Sequence, residues 1–211
     1  TTTVNVPGAG TPTGNVTVTV SGGAETCSAA VATGQCSLVL NATGNRTITA
    51  TYAGDTNFNT SSDTESHTVC GSSVVTTNLD TGAGSLRQII TDACDGATIT
   101  FDAAAFATPK TIAFASEIVI DKNLTIVASS TQQVTLSGGG TNRVFNINSG
   151  KSLNLIGLTV SGGSASGDGG AIVNNGALTI VDSTLSGNTA TADGGAISTT
   201  ASATTLMLIN T

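Results

Sequence analysis

The five residues Asp-Gly-Gly-Ala-Ile occur at 168–172 and again at 193–197, a step of 25 residues. The preceding segment LNLIGLTVSGGSA at 153–165 aligns with LTIVDSTLSGNTA at 178–190 at the same step. The alignment pairs Leu153 with Leu178, Leu155 with Ile180, and Val160 with Leu185. A fixed period of about 20 to 50 residues is typical of a solenoid, whose repeats bury their apolar faces by stacking on neighbouring repeats. The repeat therefore predicts a coil.

Short apolar runs continue through the second half of the chain and indicate what kind of coil it is. They include ATITF at 97–101, KTIAF at 110–114, LTIVA at 124–128 and VTLSG at 134–138. Gly, Asn, Asp and Ser separate the runs, and no repeat contains a helix pattern of its own. This arrangement favours a parallel β-helix over a leucine-rich or helical repeat, with four or five rungs stacked at roughly 4.8 Å.

The segment GAGSLRQIITDAC at 82–94 carries the clearest helix pattern. Ser85 stands at the N-cap position, and apolar residues follow at i, i+3, i+4 and i+7: Leu86, Ile89, Ile90 and Ala93. We expect this amphipathic helix to cap the apolar end of the first rung. Arg87 and Asp92 on the same helix are interpreted as parts of a solvated face.

The segment 1–69 has a different pattern, in which apolar and polar residues alternate. In NVTVTV at 15–20 the valines share one face, and RTITATY at 46–52 repeats the pattern with Ile48, Ala50 and Tyr52 inward. Turn-forming Pro, Gly, Asp and Asn flank both segments. The predicted organisation is all-β: a β-sandwich at 1–69, a junction with the capping helix at 70–96, and a parallel β-helix at 97–211 that is incomplete at its C-terminal end.

Two segments of the first unit, PTGNVTVTV at 12–20 and TITATYAGDTNF at 47–58, resemble the bacterial Ig-like repeat of surface proteins. The resemblance implies an Ig-like sandwich that serves as a spacer or stalk, with no catalytic site. The inserted pair Cys27 and Cys36 departs from the commoner pattern of that family.

The second unit also resembles known proteins. NLDTGAGSLRQIITDAC at 78–94 followed by TITFD is similar to the opening of right-handed β-helix regions in large secreted or surface-anchored bacterial proteins. The Gly-Gly-Ala-Ile repeats at 169–172 and 194–197, with SGNTA at 186–190, are similar to repeats of polymorphic outer-membrane and autotransporter-like adhesins. The resemblance implies a surface scaffold or adhesive rod.

The small number of charged residues limits the classes of molecule that this chain can bind. Only 9% of the residues are charged, the net charge is −7, and the six Lys and Arg residues are scattered. Such a chain offers no cationic surface to nucleic acid or anionic lipid, and no apolar run reaches the length of a membrane span. The mean hydropathy of +0.24 argues against disorder. We expect no nucleic-acid partner and no membrane insertion; surface glycans remain candidate ligands.

Catalysis by a β-helix on polysaccharides needs carboxylates, or calcium with a basic residue, converging on one face. From 143 onward the ionisable residues are only Arg143, Lys151, Asp168, Asp182 and Asp193. The sole histidine, His67, has no nucleophile at motif spacing and is interpreted as a surface residue. We expect a non-enzymatic protein; the alternative is a segment of a carbohydrate-active lyase or hydrolase whose active site lies outside these residues. A flat Thr, Ser and Asn face favours the scaffold, and a groove with three or more ionisable side chains on one sheet face favours the enzyme.

Asp168 and Asp193 are the strongest candidates for a metal site. Equivalent positions in adjacent rungs would bring their carboxylates to about 5 Å, and a calcium ion would relieve the repulsion. The competing interpretation is two solvated turn residues. No other cofactor is expected. Four asparagines near strand ends are candidates for a stacked amide ladder: Asn146, Asn148, Asn174 and Asn175.

The segment TTLMLINT at 204–211 stops partway through a predicted rung. A coil that ends there would expose unpaired backbone groups and an apolar cross-section containing Leu206, Leu208 and Ile209. Two interpretations are compatible with each other: more rungs in a longer chain, or head-to-tail assembly into a filament through open β edges.

Four cysteines, an even number without metal-ligand spacing, indicate two disulfides and a location outside the cytosol. The family resemblances imply that this location is a bacterial cell surface. Four cysteines allow three pairings. Cys27 and Cys36 flank the short segment SAAVATGQ and would face each other across a hairpin, so we favour Cys27–Cys36 with Cys70–Cys94. Four free thiols in a cytosolic protein are the alternative.

The Cys70–Cys94 pairing can be tested directly. A bond that closes this loop should stabilise the fold by roughly 3 kcal/mol through the lost entropy of the unfolded chain. Peptide mapping under non-reducing conditions should recover the two cysteines in one linked fragment. Free thiols at both positions in secreted material would contradict the pairing and weaken the case for an extracellular location.

Overall fold

The computed structural model describes residues 10–200, 203 and 205–211. The chain divides into two compact units, Thr1–Gly71 and Ser72–Thr211.

In the described residues of unit 1, 10–71, there is one antiparallel sheet of four strands. Its strands are β1 (Asn15–Val20), β2 (Thr26–Ala30), β3 (Gly44–Tyr52) and β4 (Ser61–Val69), and their spatial order is β2-β1-β3-β4. The valines of β1 lie opposite apolar residues of β3, as in the pair Val18 and Ala50. Alternating Val and Thr residues therefore give the sheet one apolar face and one polar face, as the sequence predicts.

The second layer of unit 1 is not a sheet among the described residues 10–71. Residues 34–40 cover part of the apolar face, and in this segment Leu38 and Leu40 are half-buried while Val39 is 75% exposed. The alternation is strand-like, but no ladder hydrogen bonds join the segment to another strand. The described part of the predicted two-sheet sandwich thus has one hydrogen-bonded sheet and one covering segment.

The core of unit 1 is small. The buried apolar side chains among its described residues are Val20, Tyr52 and Phe58. The Tyr52 hydroxyl donates to the carbonyl oxygen of Thr13 at 2.8 Å, and Asp55 accepts from the backbone N–H groups of Thr13, Asn57 and Phe58 at 2.7 to 2.9 Å. Polar contacts therefore supplement the burial of Tyr52 and Phe58 at this end of the sheet.

Unit 2 is a coil of short strands with one short helix. In chain order its elements are β5 (Val74–Val75), α1 (Leu86–Asp92), β6 (Ala97–Phe101), β7 (Lys110–Ala113), β8 (Ile118–Ile120), β9 (Leu124–Val127), β10 (Val134–Ser137), β11 (Phe145–Ile147), β12 (Ser152–Ile156), β13 (Leu158–Ser161), β14 (Ser164–Ala165), β15 (Ile172–Asn174), β16 (Ala177–Val181), β17 (Thr184–Ser186), β18 (Thr189–Ala190), β19 (Ile197–Thr199) and β20 (Thr205–Ile209). All pairings between strands of this unit are parallel.

Three parallel sheets wrap the coil, because each rung contributes one strand to each sheet before the chain returns to the first. Sheet 1 has the order β20-β16-β12-β9-β6-β5, sheet 2 the order β17-β13-β10-β7, and sheet 3 the order β19-β15-β11-β8. A two-stranded sheet of β14 and β18 lies between sheets 2 and 3 in chain order. Unit 2 is thus a β-solenoid of about five turns, as predicted.

The register confirms the repeat seen in the sequence. The predicted partners face each other in adjacent strands: Leu153 with Leu178, Leu155 with Ile180, and Val160 with Leu185. Other partners are not separated by the 25 residues of this repeat. Leu124 and Leu153 are farther apart in the sequence, and Val134 and Leu158 are closer together. Loops of unequal length at the corners absorb the difference, which explains why only two rungs show an obvious sequence repeat.

Inward-facing side chains form continuous columns through the coil. Ile126, Leu155 and Ile180 lie in register in sheet 1 and are fully buried. Complete burial of such a side chain is worth roughly 1.5 to 3 kcal/mol, so the columns join successive rungs by apolar contact in addition to backbone hydrogen bonds. Strand residues between them face outward and are mostly Thr, Ser and Asn.

One corner of the coil requires the left-handed backbone conformation. Gly157, Asp182 and Asn210 each follow an in-register residue of sheet 1 and have φ of 69°, 48° and 50°. Asp and Asn tolerate this conformation better than other non-glycine residues, and the Asn210 side-chain amide donates to Asp182 Oδ1 at 2.6 Å. The positive φ at this corner therefore favours Gly, Asp or Asn at the equivalent position of three successive rungs.

The helix α1 has seven residues. Ser85 is its N-cap, since the Ser85 hydroxyl accepts from the backbone N–H of Gln88 at 3.2 Å. Leu86, Ile89 and Ile90 are buried in the same apolar cluster as the strands of the coil. The predicted N-cap and apolar positions are confirmed.

Truncating one buried column should destabilise the coil far more than truncating an outward residue. Leu155→Ala should lower the free energy of unfolding by about 2 to 5 kcal/mol, because it leaves a cavity between two rungs. Thr179→Ala, on the outer face of the adjacent strand, should change it by less than about 0.5 kcal/mol. Denaturant unfolding followed by circular dichroism checks both values, and equal losses would contradict the inward assignment of Leu155.

Acid should weaken the end of the unit 1 sheet near Asp55. Hydrogen bonds from the backbone N–H groups of Thr13 and Asn57 hold the pKa of Asp55 well below its ordinary value of 3.8. The stabilisation is complete above the carboxyl pKa of the unfolded chain and is lost as the pH falls through the lower folded-state pKa. The fluorescence of Tyr52, the only tyrosine, should report this loss in denaturant titrations between about pH 6 and pH 2. Asp55→Asn should be less stable at pH 6 and should lose less stability in acid; an unchanged pH dependence would refute the role of Asp55.

Candidate functional site

The outer face of sheet 2 is an array of small hydroxyl side chains. Pairing of β7, β10, β13 and β17 aligns four threonines in one column: Thr111, Thr135, Thr159 and Thr184. The next outward column contains Ala113, Ser137, Ser161 and Ser186. Neighbouring residues in a column are about 4.8 Å apart, and the two columns are roughly 6.6 Å apart.

This array, which we call the hydroxyl face, carries no ionisable side chain on its two columns. Its outer members Thr111, Thr184 and Ser186 are exposed, and its central members are partly exposed. The Ser137 hydroxyl accepts from the backbone N–H of Gly139 at 3.1 Å. The face presents hydroxyl and methyl groups at a regular spacing on a neutral surface.

The Asp168 and Asp193 turns lie in adjacent rungs, as the repeat predicts. Asp168 Oδ1 accepts from the backbone N–H of Asp193 at 3.0 Å, and the backbone N–H of Gly169 donates to the carbonyl oxygen of Asp193 at 2.8 Å. The Asp168 carboxylate therefore joins one rung to the next. No group of three or more His, Cys, Asp or Glu side chains in the described part of the chain is placed to hold a metal ion, and calcium binding by this pair stays a prediction.

Arg143 connects the same corner to the preceding rung. Its guanidinium donates to the carbonyl oxygens of Gly169 and Asp168 at 2.9 and 2.8 Å and forms an ion pair with Glu117 at 2.6 Å. A cavity of about 270 Å³ beside it is lined by Ser116, Thr141 and Ser164 among others. Because the three guanidinium nitrogens already have acceptors, the arrangement holds three successive rungs together.

The amide ladder forms in part. The Asn175 amide donates to Asn146 Oδ1 at 3.2 Å, and the Thr200 hydroxyl donates to Asn175 Oδ1 at 3.0 Å. Asn174 is fully buried, donates to the carbonyl oxygen of Thr205 at 2.9 Å and accepts from the backbone N–H of Gly176. Asn148 contributes backbone hydrogen bonds to the described structure. These contacts stabilise the rungs, as predicted for a structural ladder.

The sequence missed a group of polar residues at the edge of the first rung. Arg87 forms an ion pair with Asp80 at 2.9 Å and donates to the carbonyl oxygens of Ser116 and Glu117 at 2.7 and 3.1 Å. Asp80 Oδ2 accepts from the backbone N–H of Ala115 at 3.1 Å. The interpretation of Arg87 as a solvated residue is therefore wrong, because its side chain is 24% exposed and binds backbone groups at the edge of the rung.

Two further contacts complete this edge. The Asn78 amide donates to the carbonyl oxygen of Thr111 at 3.2 Å, and the Arg87 guanidinium lies 5.7 Å from the centre of the Phe114 ring. One sequence feature could have indicated this ion pair. Asp80 and Arg87 lie on either side of the helix start, in a chain with very few charges.

A cavity of about 280 Å³ lies between α1 and β8 and contains three ionisable residues, Arg87, Asp121 and Lys122. The Lys122 ammonium donates to the carbonyl oxygens of Thr91 and Ala93 at 3.0 and 3.2 Å, at the C-terminal end of the helix. Both cations are therefore engaged with backbone carbonyls.

The structure contains the Cys27–Cys36 disulfide, with Cα atoms 6.0 Å apart. Cys70 and Cys94 are also disulfide-bonded, and none of the described cysteines is free.

The last described strand, β20, pairs with β16 on one side only. Leu206 and Leu208 are in register with the buried Leu178 and Ile180 but are 42% and 51% exposed. The apolar columns of the coil therefore reach solvent at this strand. The prediction that Ile209 shares this apolar cross-section is wrong, because Ile209 is in register with Val181 on the outer face of sheet 1.

Comparison with known proteins identifies the first unit. Residues 1–70 match the family model described as bacterial Ig-like domain (group 3). The search of curated proteins and the search of solved structures found no match. No helix in the described segments has the length and apolar character needed to cross a membrane.

Removing the Arg87 guanidinium should loosen the edge of the first rung. Arg87→Gln should lower the free energy of unfolding by about 1 to 3 kcal/mol, because it leaves Asp80 and two backbone carbonyls without their partner. Hydrogen exchange should accelerate at 111–117. Lys151→Gln, which removes a charge from the turn before β12, is the matched control and should change neither quantity; equal effects of the two substitutions would contradict the role of Arg87.

Proposed function

We propose that this chain is a non-enzymatic structural or adhesive part of a bacterial cell surface. The observation that carries the proposal is the hydroxyl face, where two columns of small uncharged side chains cross four rungs of sheet 2. A surface of this kind supplies contact area and hydrogen-bonding groups without an acid, base or nucleophile. It matches the flat Thr and Ser face expected of a scaffold.

The Ig-like match and the disulfides support an extracellular location. Disulfides persist in oxidising compartments, outside the cytosol. In this proposal unit 1 is a spacer or stalk module, and unit 2 is a right-handed β-helix of the type found in autotransporter-like adhesins.

The helix and the residues before it act as the cap of the coil in this proposal. Leu86, Ile89 and Ile90 pack into the apolar cluster, while Asp80 and Arg87 bind edge backbone groups of residues 115–117. An exposed edge of a parallel sheet needs both kinds of cover, apolar and hydrogen-bonding.

The opposite edge is the proposed assembly surface. Leu206 and Leu208, the inward side chains of β20, are covered either by a further rung or by a second copy that pairs with β20 head-to-tail, and repeated pairing would build a filament. Both forms of cover bury the same side chains.

The functional proposal is tested by two measurements on one preparation. Antibodies raised against the protein should label intact, unpermeabilised cells of the source bacterium, and polysaccharides incubated with the protein should show no new reducing ends or unsaturated products. Product release that survives purification to homogeneity would place a carbohydrate-active site within these residues and overturn the scaffold, and labelling that requires permeabilised cells would overturn the surface location.

Self-association should depend on the inward side chains of β20. At concentrations of tens of micromolar we expect oligomers, and Leu206→Lys with Leu208→Lys should shift the mass measured by light scattering to that of a monomer. Met207→Lys adds the same charge on the outer face of the strand, in register with Thr179, and should leave the oligomers largely intact. A monomeric wild-type protein would contradict assembly through this surface.

A further inference from the structure

The apolar face of unit 1 ends in an acidic margin that the Ig-like architecture does not explain. One row of side chains crosses all four strands, from Cys27 through Val18 and Ala50 to Asp63. The next row runs from Val20 through Ile48 to Glu65. Because cross-strand partners share a face, Asp63 and Glu65 lie on the same side of the sheet as the valines.

A groove of about 400 Å³ follows this margin. Its floor contains Val18, Ile48 and Ala50, one wall is the covering segment 34–38, and the other wall is β4 with its two carboxylates. The Cys27–Cys36 disulfide lines the first wall and ties the covering segment to β2. The groove thus has an apolar floor, a covalently fixed wall and an acidic wall.

The acidic wall is not neutralised from within its unit. Arg46 is the only Lys or Arg between residues 1 and 71, and its guanidinium donates to the carbonyl oxygens of Ala42, Ser21 and Thr43. Neither Asp63 nor Glu65 takes part in an ion pair of the described structure. A complementary occupant must bring its own positive charge.

We propose that this groove binds an extended peptide segment of another protein that carries lysine at alternate positions. Asp63 and Glu65 occupy alternate positions on one strand, about 6.6 Å apart, which is the spacing of alternate side chains in an extended peptide. A lysine side chain buries its methylene stem on apolar surface and keeps its ammonium at a polar margin. The stems would lie on Ile48 and Ala50, and the ammonium groups would reach the two carboxylates. This inference does not depend on the scaffold function or on the assembly surface of unit 2.

The test measures binding of fluorescent peptides of about nine residues, roughly 30 Å when extended, to the full chain by anisotropy. The probes are a peptide with alternating Lys and Thr, the same peptide with Glu in place of Lys, and a peptide of the same composition with its lysines consecutive. We expect the alternating Lys peptide to bind at least about tenfold more tightly than either control, and its affinity to fall as salt rises.

Matched variants locate the site. Asp63→Asn with Glu65→Gln should weaken binding of the alternating Lys peptide by about tenfold or more, whereas Asp121→Asn, an exposed carboxylate of unit 2, should leave it unchanged. Equal affinity for the alternating and consecutive peptides would show non-specific charge attraction and overturn the proposal. No binding to the wild-type chain, because a second copy or another segment fills the groove, would also overturn it. So would oligomerisation of the double variant without any loss of peptide affinity, since the carboxylates would then serve to keep the sheet edge from pairing.

Discussion

In-register stacking of buried aliphatic side chains from one rung to the next is the interaction on which unit 2 depends. Columns such as Ile126, Leu155 and Ile180 are continuous because the strands pair in parallel with matched residues opposite each other. A slip of one residue would turn every inward side chain outward. The same register that fills the core therefore also aligns the threonines and serines of the hydroxyl face.

Polar side chains at the corners of the coil hold adjacent rungs together. Asp168 and Arg143 join adjacent rungs at one corner, Asn175 and Asn146 join them at another, and Asp182 with Asn210 holds the corner that needs a left-handed backbone. The contacts of Asp168 and Arg143 also satisfy backbone N–H and C=O groups that no strand pairs where the chain turns. Most charged residues of unit 2 thus lie outside its strands.

Unit 1 is stabilised differently. Its described core contains three buried apolar side chains, so local contacts contribute a larger share: the Cys27–Cys36 disulfide, the Asp55 turn and the Arg46 guanidinium on three carbonyls. A small core commonly requires such support. It also leaves the half-covered apolar face on which the proposed peptide groove is built.

The sequence predicted the elements of the structure that have a periodic residue pattern. Leu153 and Leu178 revealed the coil because two adjacent rungs repeat at a constant step, and Ser85 with Ile89 and Ile90 revealed the helix. The role of Arg87 was missed because its acceptors are backbone carbonyls at 116 and 117, which no side-chain pattern marks. The 25-residue repeat already pairs Thr159 with Thr184, but sheet 2 was not foreseeable as a face, since the 24-residue steps that add Thr111 and Thr135 to the column become visible only with the register.

The register can be tested by engineered crosslinking. Thr159 and Thr184 are direct partners in adjacent parallel strands, so their Cα atoms should lie about 4.8 Å apart, within the range that a disulfide spans. Thr159→Cys with Thr184→Cys should form a bond under mild oxidation, recovered as one linked peptide by mass spectrometry. Thr159→Cys with Ser186→Cys is offset along the strand, which separates the Cα atoms by about 8 Å, and should not form one. Crosslinking of the offset pair in preference to the matched pair would contradict the stacked coil described here.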